Sequence, residues 1–138
     1  MPILRPAVLE SFAAQLLQSG GCSAADAKLV ASSLVDANLK GYDSHGVMRV
    51  PYYVQAIKDA EVVPGAELTI LDDGPSRIVA DANWGVGQVQ AQALIERLTE
   101  KARAGGLGLG TIMHCGHIGR LGEYCDERDE YCRTRRRS

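Results

Sequence analysis

The chain reads as an α/β protein in which a helical N-terminal segment leads into part of a mixed sheet. Three observations predict it. Through residue 62, apolar residues recur at helical spacing. From Val63 onward, short β-type runs alternate with turn clusters and one long helical pattern, in the order of a βαβ unit. The glycine-rich turns complete no dinucleotide fingerprint, so the fold is expected to be non-Rossmann.

In residues 7–19, Leu9, Phe12, Ala13, Leu16 and Leu17 form one apolar stripe, and Gly20-Gly21 supplies the stop. Ser23 is a candidate N-cap with Asp26 as its reciprocal partner. The helix it opens carries Ala27, Val30, Ala31, Leu34 and Val35 toward the core and ends at Gly41. Asp43 or Ser44 is placed to cap a shorter turn, and Pro51 to open a further helix bearing Val54 and Ile57. Residues 68–71 then read as a strand, Asp72-Asp73-Gly74-Pro75 as a turn, and residues 77–80 as a second strand. Residues 87–104 read as a helix with Val89, Ala93, Leu94 and Leu98 inward, closed by Gly105-Gly106. Residues 107–113 read as a buried strand.

Composition narrows the function classes. The 138 residues are 46% hydrophobic and 23% charged, which suits one globular domain. A net charge of −2 gives no electrostatic reason to expect nucleic acid or an anionic membrane as partner. No apolar run has transmembrane length and no secretory start is present, so a cytoplasmic protein is expected. Cys22, Cys115, Cys125 and Cys132 show no C-x-x-C pairing and are expected as free thiols. Asp126-Glu127-Arg128-Asp129-Glu130 is all charge, Arg133-Thr134-Arg135-Arg136-Arg137 follows with no apolar period, and the stretch reads as a solvated tail.

Two segments carry candidate chemistry. Asp43-Ser44-His45-Gly46-Val47-Met48-Arg49 offers a hydroxyl, an imidazole and a guanidinium, and His114-Cys115-Gly116-His117 offers two more imidazoles. Histidine exchanges protons near neutral pH, and arginine grips a carboxylate through two parallel hydrogen bonds. On a helix, His45 and Arg49 would share a face. Equally, Ser44 could cap a helix and His45 sit as a surface residue, and a lone loop His117 is often only structural. Gly85-Val86-Gly87-Gln88 opens a helix but lacks the third glycine, and Gly106, Gly108 and Gly110 enter a strand. Both sets read as tight turns and close packing rather than phosphate cradles. His114, Cys115, His117 and Cys125 offer zinc-ligand types at a spacing that matches no usual finger.

The run Asp36-Ala37-Asn38-Leu39-Lys40-Gly41-Tyr42-Asp43-Ser44-His45-Gly46-Val47-Met48-Arg49-Val50-Pro51 resembles the N-terminal signature of the malate/L-lactate dehydrogenase family. That family is distinct from the Rossmann-type lactate and malate dehydrogenases. Further matches are Ile78-Val79-Ala80-Asp81, Trp84-Gly85-Val86-Gly87-Gln88, Lys101-Ala102-Arg103 and His117-Ile118-Gly119, in register from residue 7 to residue 125.

The resemblance implies an oxidoreductase that interconverts a small-molecule 2-hydroxy acid and its 2-oxo acid with NAD or NADP, as a homodimer. Ser44 and His45 are then a proton-relay pair, Arg49 the clamp on the substrate carboxylate, and His117 the acid/base at the reacting oxygen. His117, Ile118, Gly119, Arg120 and Leu121 line the cofactor. The implied division is a helical segment over 1–62, a partial α/β cofactor and substrate domain over 63–125, and an unrelated tail over 126–138. Family members run on for more than this length again and place most cofactor contacts there, so a truncated, inactive copy is expected. A frameshift or premature stop would produce that pattern. The alternatives are a non-catalytic remnant or interaction module that keeps the helices, and a small zinc or nucleic-acid binder using the His/Cys cluster and the Arg-rich tail.

Overall fold

Helical periodicity in the first half becomes three helices in the computed structural model, which describes residues 4–125. The charged stretch 126–138 and Cys132 lie outside the described residues. Helix α1 (Pro6–Ser19) starts with proline in its first turn, where no amide partner is needed. Helix α2 (Ala24–Leu39) is capped as expected, the Ser23 hydroxyl accepting the Asp26 amide at 3.0 Å. Its inward residues Ala27, Val30, Ala31, Leu34 and Val35 are all buried. The stripe on α1 is narrower than expected. Ala13 and Leu17 pack inward, whereas Phe12 is 58% exposed and Leu16 38%. Helix α1 docks on α2 and α3 along one edge, and no neighbour among the described residues covers the flanking apolar positions.

The segment between α2 and α3 is not one helical turn with a side-chain cap. Two 3-10 turns, Asp43–His45 and Val47–Arg49, are separated by extended Gly46, and neither has a side-chain cap. Helix α3 (Val50–Lys58) follows, with Val50, Tyr53 and Ala56 buried. One core therefore joins Leu17, Cys22, Val30, Leu34, Val50 and Tyr53, with Val86 closing it from the second half.

The sheet is small and mixed. Strand β1 (Thr69–Asp73) runs antiparallel to β2 (Arg77–Asp81), and β2 runs parallel to β3 (Leu109–Met113), in the order β1-β2-β3. Asp72 and Asp73 belong to β1 rather than to the turn, and a bulge between Ile70 and Asp72 absorbs the offset. Helix α4 (Gly87–Gly105) connects β2 to β3, as a parallel pair requires. It covers one face of the sheet, and Ile78, Ala80 and Leu94 form a second core with Ile70, Leu98 and Ile112 beside it.

Strand β3 is an edge strand and not a buried one. Its residues alternate exposed and half-buried, and Leu109 is 61% exposed, because α4 covers only one face. The alternating glycines have the packing roles expected of them. Gly106 closes α4 in the left-handed conformation, and side chains at Gly108 or Gly110 would run into Leu98 of α4.

Candidate active site

The Ser-His segment is shaped from α2. Asn38 near the end of that helix donates to the Asp43 carboxylate at 2.5 Å and accepts the Val47 amide at 2.8 Å. One side chain thus staples both 3-10 turns. A Cβ at Gly46 would overlap the Asn38 amide, which explains why the motif needs glycine there.

In this folded-over segment Ser44 and His45 meet although they are adjacent in sequence. The Ser44 hydroxyl lies 3.0 Å from His45 Nδ1, and Ser44 caps nothing. Arg49 Nε donates to the Ser44 carbonyl at 2.7 Å, which fixes the guanidinium beside the pair without a helical i,i+4 relationship. Arg49 has no acidic partner among the described residues, so its remaining N–H groups are available to an anion.

His117 arrives from the loop after β3. Its main chain lies directly on the start of α4, where a Cβ on Gly87 would strike the His117 carbonyl. This contact packs the His117 loop against the amino end of α4. Two residues on, Gly119 adopts φ +81° and turns its amide back to His117 Nδ1 at 3.3 Å.

His45 and His117 come together, with ring centroids 5.5 Å apart. Burial holds the His117 imidazole below its ordinary range, and the nearby Arg49 and His45 add to the effect. Tyr53 Oη lies 2.6 Å from His117 Nδ1, and Gln88 Nε2 donates to that Oη at 2.8 Å. Burial pushes the Tyr53 phenol up to about 12. Neither Tyr53 nor Gln88 was among the expected site residues. Both leave a faint signal: Tyr53 lies four positions beyond Arg49, and Gln88 is a polar residue three positions before Ala91 on the buried side of α4.

The loop expected to line the cofactor divides. The Ile118 carbonyl accepts the Tyr124 hydroxyl at 2.5 Å. Arg120 is turned toward α2, 3.4 Å from the Asp36 carboxylate and stacked over the Tyr42 ring. Leu121 is 71% exposed at the start of the helical residues 121–125.

His114 lies apart, held by Asp81 at 2.9 Å and against the Trp84 ring. The two imidazoles of the His/Cys segment thus have separate partners. No group of three His, Cys, Asp or Glu among the described residues is arranged to hold a metal. Cys22, Cys115 and Cys125 are free thiols. No helix among the described residues is long and apolar enough to cross a membrane.

The family model described as malate/L-lactate dehydrogenase matches residues 4–129. The L-sulfolactate dehydrogenase of Methanocaldococcus jannaschii is 33% identical over 124 residues, covering 90% of this chain and 36% of that protein. The malate dehydrogenase of Pyrococcus abyssi is 35% identical over 116 residues, covering 84% of this chain and 32% of that protein. Among solved structures, the sulfolactate dehydrogenase from Methanocaldococcus jannaschii superposes with a TM-score of 0.90 at 32% identity, over 94% of this chain and 38% of its own. The chain spans about a third of the length of the curated relatives it matches.

Proposed function

The chain belongs to the malate/L-lactate dehydrogenase family, and from that premise we propose that it carries the acid-binding and proton-transfer side of a 2-hydroxy-acid dehydrogenase. The observation that supports this most is the meeting of His45, Arg49 and His117 from two distant segments. Arg49 is the clamp on the substrate carboxylate, since it has N–H groups to spare and a fixed position. His117 is the acid/base at the reacting oxygen. Its lowered proton affinity favours the neutral ring at rest, and the imidazolium formed when that ring takes a proton is the state that hands one to the reacting oxygen. Ser44 and His45 form the relay pair behind it.

NAD or NADP supplies the hydride exchange when bound. The described residues suit only its reacting end. Ile118, Gly119 and Leu121 can line a nicotinamide beside His117, whose loop packs on the start of α4. The side chains here orient the acid by its carboxylate, hold the proton at the reacting oxygen and set the imidazole's affinity for it. A cytoplasmic homodimer belongs to this reading.

The test is a titration with NADH and NADPH, and with pyruvate, followed by thermal shift and Trp84 fluorescence. Pyruvate binding that is lost in Arg49→Leu supports the proposal, and a folded chain indifferent to all three ligands overturns it. A second reading, a non-catalytic interaction module, is favoured by the exposed stripe Val8, Phe12 and Leu16 along α1, with Leu4 exposed just ahead of it. That indifferent outcome would select it.

A further inference from the structure

On its buried side His117 meets a set of donors that the proposed chemistry leaves without a task. Gln88 is 1% exposed and Tyr53 7%, and the two are joined by the 2.8 Å bond from Gln88 Nε2 to the phenol oxygen. That oxygen is 2.6 Å from His117 Nδ1, and the Gly119 amide points at the same nitrogen from 3.3 Å.

The Gly119 amide decides the direction of this chain. A backbone N–H only donates, so a hydrogen on Nδ1 would set two N–H groups facing each other in a part-buried place. With Nδ1 bare, it accepts from both Gly119 and Tyr53. The phenol oxygen, already accepting from Gln88, has its own hydrogen free to point at Nδ1. Burial keeps that hydrogen in place, since the phenol is pushed up to about 12.

We propose that Gln88, Tyr53 and Gly119 hold neutral His117 as its Nε2–H tautomer, so that it faces the bound acid as a hydrogen-bond donor. Tyr53 and Gln88 are thus positioning residues that act through His117. A keto oxygen can only accept, and it is satisfied by Nε2–H as it stands. A hydroxyl is both donor and acceptor and must turn its own hydrogen elsewhere before it fits. The resting site is therefore matched to the 2-oxo acid rather than to the 2-hydroxy acid. This selectivity rests on His117 facing the substrate, whereas the tautomer does not.

The experiment is a long-range proton–nitrogen NMR spectrum of the full chain labelled with nitrogen-15 at histidine, recorded above the titration of His117. A bare Nδ1 and a protonated Nε2 are expected for His117, with His114 as internal reference. Tyr53→Phe is expected to convert the single tautomer into a mixture. A protonated Nδ1 in the wild type, or a Tyr53→Phe spectrum unchanged at His117, would overturn the assignment, and the wild-type spectrum suffices if the variant does not fold. Pyruvate should move the Nε2 signal at concentrations at least tenfold below those of L-lactate, and equal affinity would overturn the selectivity. The expected tautomer in a chain that binds neither acid would support the donor chain and refute the dehydrogenase reading.

Discussion

The rings of His45 and His117 lie 5.5 Å apart although one follows α2 and the other follows β3. Burial, the Arg49 guanidinium and the His45 ring all favour the neutral form of His117. In the unfolded chain the same imidazole protonates near its ordinary 6.5. Between that value and the lower folded one, the unfolded state binds more protons, so stability falls as pH drops through this window and then levels off. Replacing His45 with Gln removes one contribution and should raise the His117 titration in an NMR pH series. A His117 that titrates at or above 6.5 in the wild type would refute this electrostatic picture.

Arg49 makes a sharper prediction because its Nε is already occupied by the Ser44 carbonyl. Its other N–H groups are the ones left for a carboxylate. Arg49→Leu should weaken pyruvate binding by about 1.5–3 kcal/mol, the range for hydrogen bonds to a charged group. Arg49→Lys should recover only part of that loss, since an ammonium keeps the charge without the planar fork. Calorimetric titration of the three proteins measures it, and equal affinities would remove Arg49 from the acid site.

Much of the fold was legible because its signals are local. The Ser23 cap, the buried stripe of α2 and the left-handed Gly106 closing α4 need only a few neighbouring residues to be recognised. What escaped depends on distant partners. The exposure of Phe12 reflects how little of α1 is covered, which periodicity cannot report. The 3-10 turns around Gly46 depend on Asn38, and the edge position of β3 depends on sheet order. In the candidate site, the motifs marked His45, Arg49 and His117, whereas Tyr53 meets its imidazole across 64 positions of sequence. Only the folded chain brings that pair together.

Gly87 offers a test of how the His117 loop is held. A Cβ there would meet the His117 carbonyl and press on the Gly116 carbonyl as well. Backbone cannot rotate away as a side chain can, so Gly87→Ala should destabilise by about 1–3 kcal/mol, as overpacking does. It should also break the Tyr53–His117 bond by lifting the loop. Gly105→Ala is the matched control, since nothing lies within 4 Å of its added methyl. Urea unfolding of both variants would show the contrast, and similar midpoints would mean that the loop rides freely over α4.

The Tyr53 phenol leads to an alkaline prediction of opposite sign to that for His117. Its proton affinity is raised by burial to about 12, against an ordinary value of 10.0, and only partly offset by the Gln88 hydrogen bond. The folded chain therefore holds a proton that the unfolded chain gives up first. The stability linked to Tyr53 is complete below pH 10 and is lost as pH rises toward 12. Ultraviolet difference absorbance should show a late-titrating tyrosine step. Tyr53→Phe should abolish that late step and flatten the alkaline fall in unfolding midpoint, while leaving His117 without its phenolic donor. If the late step persists in Tyr53→Phe, another tyrosine is responsible and the raised affinity of the Tyr53 phenol is refuted.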